Sequence, residues 1–379
     1  FLPAAVGDIG AAVIGPTVKG PAMVPTVVSS YSEYVAKFGD TFKSGSNYYT
    51  YLTSTTAQNY LKHSGKLTVV RILDGTFSNA SANVVTGSGV GHTGSVGRGL
   101  NEDALNRSFT INTIAHGAIM NNVGVKSDAG MADQTGSNCL LISGSSDNIR
   151  YEVTSTNNSK GTFTLLVRRG DDTHKRKQIL ETWNNLTLDP NQPNYISKVI
   201  GNSYAEIQGT GTDDPYIKYT GEYPNNSKYI YISDVSDTVD YLDENGNVRV
   251  TAATASLPAI GSGSYHGGFN GGSNGVAGFD SLGNVSDASG ISTAYSFYEN
   301  ISATDSQGYA LASTTNNDGG TAYIEALNLL SNQDEYDINL ILTPGIIDAL
   351  GNAHSGIVTK AIDICEQRGD CFYIYDTVA

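Results

Sequence analysis

The most regular hydrophobic pattern in the chain is the run Leu67–Leu73, in which apolar and β-branched residues continue until Asp74. A short run of this composition predicts a buried strand that ends in a turn. Before the run, apolar residues recur at helical spacing. After it, as far as about residue 320, Gly, Ser, Asn and Thr are frequent and strand signals are scattered. The strand therefore marks the place where a compact part of the chain gives way to a turn-rich part.

The residues before this strand predict one further strand and two helices. Gly10–Gly15 is short and apolar, which is typical of a buried strand. Ser30 and Glu33 form a capping box, in which the hydroxyl and the carboxylate bind free amides at the start of a helix. Apolar residues at i, i+3, i+4 and i+7 then predict a helix over Tyr31–Phe38, and a second helix is predicted over about 48–63.

The compact pattern returns near Thr321, which we interpret as the N-cap of a third helix. Ile338–Leu342, closed by a Pro-Gly pair, predicts a strand. It is followed by a predicted helix over Ser355–Arg368 and a predicted strand over Cys371–Tyr375. A strand–helix–strand unit at this spacing requires parallel strands and a right-handed crossover. These strands need partners, and we expect Leu67–Leu73 to lie in the same sheet.

The middle of the chain predicts strands joined by hairpins. Residues 157–161 and Glu244–Gly246 have the composition of hairpin turns. From Gly75 to about Leu105, and again over Ser262–Gly290, the chain is rich in Gly and Ser and predicts mainly loop. The predicted strands are Arg107–Ala115, Asn138–Ser143, Tyr151–Thr154, Thr162–Arg169, Gln178–Trp183 and Lys228–Ser233, and Tyr195–Ile200 predicts a short helix.

These elements predict a mixed α+β (or α/β) protein with a discontinuous core. Residues 1–74 and about 321–379 are expected to form one αβ domain, built on a βαβ unit and a mixed sheet. Three inserted regions are expected between its halves: a variable Gly/Ser-rich insertion over about 75–115, a β-rich domain over about 116–255 and a Gly-rich return segment over about 256–320. A chain of 379 residues is long enough for roughly two or three hydrophobic cores.

Charge and hydropathy exclude several classes of partner. The formal net charge of −15 argues against nucleic acid and against an anionic membrane surface, because both need clustered Lys and Arg. No apolar run approaches the roughly 18–20 residues that span a bilayer. The sequence begins with Phe1 rather than Met and stops directly after a strand-like run. We therefore expect it to be a fragment of a longer protein.

The three cysteines are Cys139, Cys365 and Cys371, and they form no Cys-x-x-Cys pair. Cys365 lies on the apolar side of the last predicted helix, and Cys371 opens the last predicted strand. We expect buried free thiols rather than a disulfide. Free thiols are typical of a protein made in the cytoplasm.

Two glycine-rich motifs match catalytic signatures but lack the surrounding elements. Gly89–Gly94 fits the dinucleotide pattern G-x-G-x-x-G, which needs a strand before it and a helix after it. The residues that follow are poor helix formers, so a chance match is the simpler interpretation. Gly271–Gly275 fits the G-x-S-x-G nucleophile elbow, which needs a strand and a helix around a sharp turn. Glycines flank it on both sides, so a plain turn is the simpler interpretation.

The remaining candidates for chemistry also have simpler explanations. Asp243–Asn247 resembles part of a calcium loop but lacks the bidentate Glu, so a hairpin turn is favoured. The six His show no metal-ligand spacing. The one basic cluster, Arg168–Lys177, is interpreted first as a solvated hairpin edge and second as a contact with an acidic neighbouring subunit. No catalytic, cofactor-binding or metal-ligating residue is assigned, and the residues by themselves indicate a non-enzymatic assembly or binding protein.

Four segments, taken in order, resemble motifs of the tail sheath proteins of contractile-tailed bacteriophages and related contractile injection machines. The family's Gly-Gly-(Ser/Thr)-(Asp/Asn)-Gly turn accounts for the apparent nucleophile elbow. The segments are Gly10–Gly15 with Lys19–Pro21, Tyr31–Phe38 and Leu67–Arg71; Phe163–Val167 with Glu181, Asp189-Pro190 and Asn194–Ser203; Gly271–Gly275; and Ala326–Gly345 with Glu366–Asp370 and Phe372–Asp376.

The resemblance implies a structural role. Sheath subunits stack as hexameric rings in a helical sheath around a rigid tube, above a baseplate, and contract to drive the tube through the host envelope. Such an irreversible switch between two subunit packings needs no nucleotide. The implied partners are copies of the chain, the tail tube protein and the baseplate, with no nucleic acid, membrane or cofactor. The implied location is the virion tail, after synthesis in the host bacterial cytoplasm.

Sheath proteins also carry N- and C-terminal arms that add strands to neighbouring sheets, and we expect that this stretch does not include them. We therefore expect this stretch to be monomeric on its own. The αβ part is expected to face the tube, and the insertion to face outward. The alternative is a β-rich receptor- or glycan-binding surface protein, which would not need a βαβ core. A hydrolase would need convergent catalytic groups, and we find none in the sequence.

Overall fold

The structure is a computed structural model. It describes residues 10–44, 47–86, 107–122, 144–173, 175–212, 214–249, 257–260, 267–275, 301–312 and 319–377. None of the helices in these residues is long and apolar enough to cross a bilayer.

The described residues form helices and strands that we number in chain order. The helices are α1 (Tyr31–Phe38), α2 (Leu52–Tyr60), α3 (Ile196–Val199), α4 (Gly319–Leu329) and α5 (Asn352–Arg368), with 3-10 turns at Ala118–Met120 and Asp348–Leu350. The strands are β1 (Ala11–Gly15), β2 (Thr26–Val28), β3 (Thr41–Ser44), β4 (Asn47–Thr50), β5 (Leu67–Arg71), β6 (Phe77–Val85), β7 (Arg107–His116), β8 (Ile149–Asn157), β9 (Thr162–Arg169), β10 (Ile179–Thr187), β11 (Tyr204–Gln208), β12 (Tyr216–Thr220), β13 (Ile230–Ser233), β14 (Ser273–Asn274), β15 (Asp305–Ser306), β16 (Tyr309–Ala310), β17 (Leu340–Ile347) and β18 (Phe372–Asp376).

A five-stranded mixed sheet brings together strands from the two ends of the described chain. Its order is β18-β17-β1-β5-β2, and neighbouring strands are parallel except for β5 and the edge strand β2. Strands β1 and β5 are buried along their whole length, as expected of central strands covered on both faces. The prediction that Leu67–Leu73 shares a sheet with the two C-terminal strands is confirmed, although the strand ends at Arg71.

Helices cover both faces of the sheet, and alternate residues of each strand enter the two resulting cores. Ala12 of β1 and Ile341 of β17 lie in the core formed with α4 and α5. Ala11 of β1 and Val69 of β5 lie in the core formed with α1 and α2. This alternation follows from the two-residue period of a strand. The result is a three-layer αβ arrangement.

The start of α1 confirms the predicted capping box. The Glu33 amide donates to Ser30 Oγ over 3.2 Å, and the Glu33 carboxylate accepts a bond from the Ser29 amide over 2.9 Å. That backbone hydrogen bond is the main reason why the pKa of Glu33 falls to about 2, and the Lys37 ammonium lowers it further. The cap therefore holds the connection between β2 and α1 in place.

The middle of the chain forms two antiparallel sheets around a further core. One sheet has the order β13-β7-β6-β14 and the other β10-β9-β8. Phe109 of β7 and Phe163 of β9 are fully buried, and their rings stack with centroids 5.5 Å apart. The described parts therefore confirm a mixed fold in which a mixed αβ sheet is accompanied by separate antiparallel sheets. The proposed division into a core domain, insertions and a return segment stays a prediction.

Several predicted elements need correction. The nine-residue strand β6 lies where the sequence predicts loop with only weak strands, because its buried positions, including Ala80 and Ala82, are too small to give a strong signal. The helix predicted from residue 48 begins at Leu52, since Asn47–Thr50 pairs with β3 as a hairpin. The hairpin of β11 and β12 has no counterpart among the predicted elements.

Two boundaries near the C-terminal end also differ from the prediction. Helix α4 begins at Gly319, so Thr321 lies inside it and is not its N-cap. Strand β17 does not end at Pro344 but continues to Ile347 across a register shift. The bulge is held by Gln307, whose side-chain amide donates to the Pro344 carbonyl over 2.8 Å. The strand predicted over Asn138–Ser143 and the Gly-rich motif over Gly89–Gly94 lie outside the described residues.

We expect Ile341→Ala to lower the free energy of unfolding by about 3 kcal/mol, because it leaves a cavity in the sheet–helix core. Ile374→Ala, in the neighbouring strand, is the control: its side chain is about half exposed, and its loss is expected to cost less than about 1 kcal/mol. Urea denaturation followed by circular dichroism measures both values. Equal losses in the two variants would contradict the burial pattern of the sheet.

Candidate functional site

The Gly271–Gly275 turn is part of a structural junction and not a nucleophile elbow. Ser273 and Asn274 form β14, which pairs with the start of β6. The Asn274 side-chain oxygen accepts a hydrogen bond from the Ala118 amide over 2.9 Å. Ser273 Oγ accepts a hydrogen bond from the Gly275 amide over 3.1 Å, within the turn itself. The prediction of a plain turn is confirmed.

The Asp243–Asn247 segment is a hairpin turn, as predicted. Leu242 and Val248 form an antiparallel bridge on either side of it. The Asp243 carboxylate accepts backbone hydrogen bonds from Asn247 over 2.7 Å and from Asn245 over 2.9 Å. These bonds, led by that from Asn247, lower the pKa of Asp243. The carboxylate therefore serves to close the turn.

Arg71 lies at the junction between the five-stranded sheet and the middle of the chain. It ends β5 and is only 1% exposed. Its Nη1 donates to the carbonyl oxygen of Gly20 and to that of His116, each over 2.7 Å. Burial lowers the pKa of this guanidinium, and the phenol of Tyr309 is the first of the groups that offset the effect. The sequence predicts the strand but gives no sign that its last residue is a buried cation.

A histidine and a glycine also have defined roles at this junction. The Ala22 amide donates to His116 Nδ1 over 3.1 Å, and the His116 amide donates to Gly20 over 3.0 Å. Burial, and then the charge of Arg71, lower the pKa of His116 to about 4. Gly117 adopts a φ of +109°, and a Cβ there would lie 2.3 Å from the Asn274 side-chain oxygen. A residue larger than glycine would therefore force the junction apart.

The basic cluster Arg168–Lys177 is not a solvated hairpin edge throughout, and this prediction is corrected. Arg168 and Asp172 are fully buried, and the guanidinium binds both carboxylate oxygens over 2.7 Å. Arg168 Nη1 also donates to Glu152 over 2.8 Å, and Lys177 donates to the same carboxylate over 2.6 Å. The two acids come from within the chain, so this part of the cluster is satisfied internally. A second arginine, Arg150, lies 3.5 Å from Asp172.

Neither of the two Arg-Gly-Asp tripeptides in the described residues is free to bind a receptor through both charged groups. Arg169 Nη2 donates to Asp171 over 2.9 Å, and both side chains are partly exposed. Arg368 is buried and binds Asp370 over 2.9 Å while donating to the carbonyl oxygen of Leu330 over 2.7 Å. Each arginine is therefore already paired with the aspartate of its own tripeptide.

The C-terminal thiols are free, as predicted. Cys371 Sγ and Cys365 Sγ are 3.3 Å apart and form no disulfide. Burial is the main cause that raises the pKa of Cys365 to about 12. A protonated thiol such as that of Cys365 is a poor nucleophile and a poor metal ligand. Cys139 lies outside the described residues.

The candidate assembly surface is the edge of the five-stranded sheet at β18. Phe372 and Ile374 project from the same face of this strand and are 76% and 51% exposed. Leu340 and Leu342 of β17 are partly buried in the core formed with α1 and α2. The described helices therefore cover the centre of this face, and no described element covers its edge. An apolar edge strand without a cover is typical of a site where another chain pairs.

The described residues give no sign of catalytic chemistry at these places. They contain no group of three or more His, Cys, Asp or Glu arranged to hold a metal ion. Buried His354 accepts a hydrogen bond from the Ile347 amide and contacts the Ser302 carbonyl oxygen over 2.7 Å, so its ring joins backbone segments. The polar clusters described above are bound to backbone or to each other, which is how structural polar groups behave.

We expect Arg168→Met to lower the free energy of unfolding by about 3–5 kcal/mol, because Asp172 and Glu152 keep buried charges without their main partner. Arg169→Met is the matched control. Its ion pair with Asp171 is partly exposed, so its loss should cost less than about 1 kcal/mol. Chemical denaturation of both variants tests this. A small effect of Arg168→Met would show that the buried cluster tolerates unpaired carboxylates.

Stability is expected to fall as the pH drops from about 6.5 towards 4, because the unfolded chain binds a proton at His116 that the folded chain excludes. The loss attributable to this residue should be on the order of 2–3 kcal/mol. His116→Asn keeps a side-chain acceptor for the Ala22 amide without titrating in this range. Denaturation midpoints at pH 7 and pH 4.5 should therefore differ less in this variant than in the original chain. An identical pH dependence would mean that His116 does not titrate as described.

The sequence matches no protein-family model and no curated protein. Among solved structures, the chain is similar to a sheath tail protein from Desulfitobacterium hafniense, with 12% identity and a TM-score of 0.37, over 98% of this chain and 50% of that one. It is also similar to a sheath tail protein from Listeria innocua, with 9% identity and a TM-score of 0.32, over 96% of this chain and 57% of that one. The chain thus spans roughly half the length of these two structures.

Proposed function

We propose that the chain is part of a non-enzymatic structural subunit of a contractile tail sheath. The observation that carries the proposal is the arrangement of the first and fourth sheath-like segments. Four of the strands in a single sheet come from Gly10–Gly15, Leu67–Arg71, Leu340–Ile347 and Phe372–Asp376, although about 360 residues separate the first strand from the last in sequence. Segments that resemble one family therefore form one structural unit.

The open edge of this sheet supports self-association by strand addition. Among the described residues, strand β18 pairs with β17 on one side and with no strand on the other, and Phe372 and Ile374 add an exposed apolar surface. An added strand would gain affinity from main-chain hydrogen bonds and specificity from these side chains. Because the chain has a net charge of −15, contacts between copies must overcome mutual repulsion. Main-chain and apolar contacts are well suited to this, since they do not depend on opposite charge.

In this proposal, copies of the protein polymerise as stacked hexameric rings around a tail tube above a baseplate. The sheath contracts and drives the tube through the host envelope, and the protein is located in the virion. No cofactor takes part, because the free-energy difference between two subunit packings supplies the work. The buried and internally paired ionic clusters support a rigid subunit that moves as a body.

Electron microscopy of the full-length protein that contains this chain tests the proposal. We expect tubular polymers. Full-length protein that stays as dispersed particles at all concentrations and salt conditions would contradict a sheath role.

The double variant Phe372→Asp with Ile374→Asp tests the assembly surface separately. Two carboxylates at this edge should prevent polymer formation, because they place unpaired charge in an apolar contact. Val27→Asp is the control, since Val27 is 53% exposed on the opposite edge strand of the same sheet, and its polymers should persist. Polymers that form normally from the double variant would show that β18 is not the edge that joins subunits.

A further inference from the structure

A cleft of about 510 Å³ lies between the loop that follows β1 and the sheet that contains β7 and β13. Sites for small ligands usually have volumes of roughly 300–1,000 Å³, so the cleft is large enough for one. Its charged lining includes Lys19 and Asp147. Four tyrosines also line it, namely Tyr204, Tyr219, Tyr229 and Tyr231.

Lys19 is a partly buried cation that lacks a close partner. No hydrogen bond and no ion pair of its ammonium group is found among the described residues. Burial lowers its pKa, and the charge of Asp147 offsets part of this effect. A cation removed from water without a partner is costly. The ammonium group is therefore suited to bind an anionic group that enters the cleft.

Asp147 supplies an acceptor in the same cleft. Burial raises its pKa, and the positive charge of Lys19 is the largest influence in the opposite direction. The charges of the two side chains therefore influence each other electrostatically, although the side chains form no ion pair among the described residues. An ionised carboxylate accepts hydrogen bonds from hydroxyl groups. A ligand that satisfies both groups has one carboxylate for Lys19 and hydroxyl donors for Asp147.

The tyrosines provide flat apolar surfaces beside these charges. Tyr204 and Tyr231 stack with ring centroids 5.3 Å apart, and Asn79 donates to the Tyr231 hydroxyl over 2.8 Å, so this pair is fixed in place. Tyr219 is 71% exposed, although it lines the cleft. Exposed tyrosine rings contribute a large rigid contact area with a polar tip. Such rings suit the apolar face of a sugar ring.

We propose that this cleft binds an acidic sugar of the uronic acid class. The carboxylate of the sugar would pair with Lys19, its hydroxyl groups would donate to Asp147, and its ring would lie against the tyrosines. A neutral sugar would leave the Lys19 charge unpaired. Inorganic phosphate would leave the tyrosine surface empty. The proposal is independent of polymerisation, so its failure would leave the sheath role untouched.

Isothermal titration of the chain with D-galacturonate tests the proposal, with D-galactose, which carries a hydroxymethyl group in place of the carboxylate, as the matched neutral ligand. We expect saturable binding of galacturonate and at least tenfold weaker binding of galactose. Lys19→Met should weaken galacturonate binding at least tenfold. Lys160→Met is the control, because Lys160 is an exposed lysine outside the cleft, and its affinity should be unchanged.

Tyr219→Ser gives a second test that does not risk the fold, because the side chain is largely exposed. It should weaken galacturonate binding, whereas Tyr216→Ser, on the same strand and outside the cleft lining, should not. No galacturonate binding in the millimolar range, equal affinity for galactose, or unchanged affinity in Lys19→Met would overturn the proposal. Glutamate or inorganic phosphate binding as tightly as galacturonate would overturn the choice of ligand class.

Discussion

The burial of one cation, Arg71, constrains how the two parts of this molecule fit together. A guanidinium removed from water costs several kcal/mol unless its N–H groups find acceptors. Here the acceptors are the carbonyl oxygens of Gly20 and His116, both 2.7 Å away. Gly20 follows β1 of the αβ sheet, whereas His116 ends β7 of the middle sheet. Separating these segments would leave a buried charge without these acceptors, so an inner strand of one sheet, β5, constrains the position of the other sheet.

The need to pair buried cations also applies to the second buried cluster. Arg168 and Arg150 lie in the interior with Asp172 and Glu152, so several of the chain's few cations are used inside the molecule. The chain has 22 basic and 37 acidic residues. Burying arginines with acids of the same chain neutralises charge locally but leaves the surface with an excess of carboxylates. Copies of the chain therefore repel one another at long range, and salt weakens this repulsion.

This charge balance bears on how a polymer of such subunits would hold together. The contacts that are indifferent to net charge are main-chain hydrogen bonds and apolar packing, and the β18 edge offers both. The exposed positions of the strand alternate with Tyr373, whose hydroxyl binds Thr343 Oγ1 over 2.5 Å. One face of the strand is thus anchored to its own sheet while the other is left open. An edge with this asymmetry can accept a strand without being reorganised itself.

The sequence by itself determined the features that depend on near neighbours. The capping box at Ser30, the helix after it, the buried run at Leu67 and the parallel strands near the C-terminal end all follow from spacing within one element. Their partners in the sheet could also be inferred, because only a few apolar runs were long enough to be central strands. About the candidate site the sequence was less informative: it identified the segments that form the β18 edge but not which face stays open.

Only the tertiary structure decided which charged residues are buried and which weakly predicted strands form. The burial of Arg71 depends on the carbonyl oxygen of His116, 45 residues away, which accepts a hydrogen bond from it. No pattern among neighbouring residues predicts this contact. The cluster around Arg168 looked solvated in sequence because its partner Glu152 lies on another strand. Strand β6 was hard to predict from the sequence because alanines occupy several of its buried positions. Whether these alanines are buried depends on the packing around β6 and its partner β7. Short-range periodicity reports which face of an element is apolar, whereas the burial of a charge or of a small side chain depends on what distant parts of the chain bring to it.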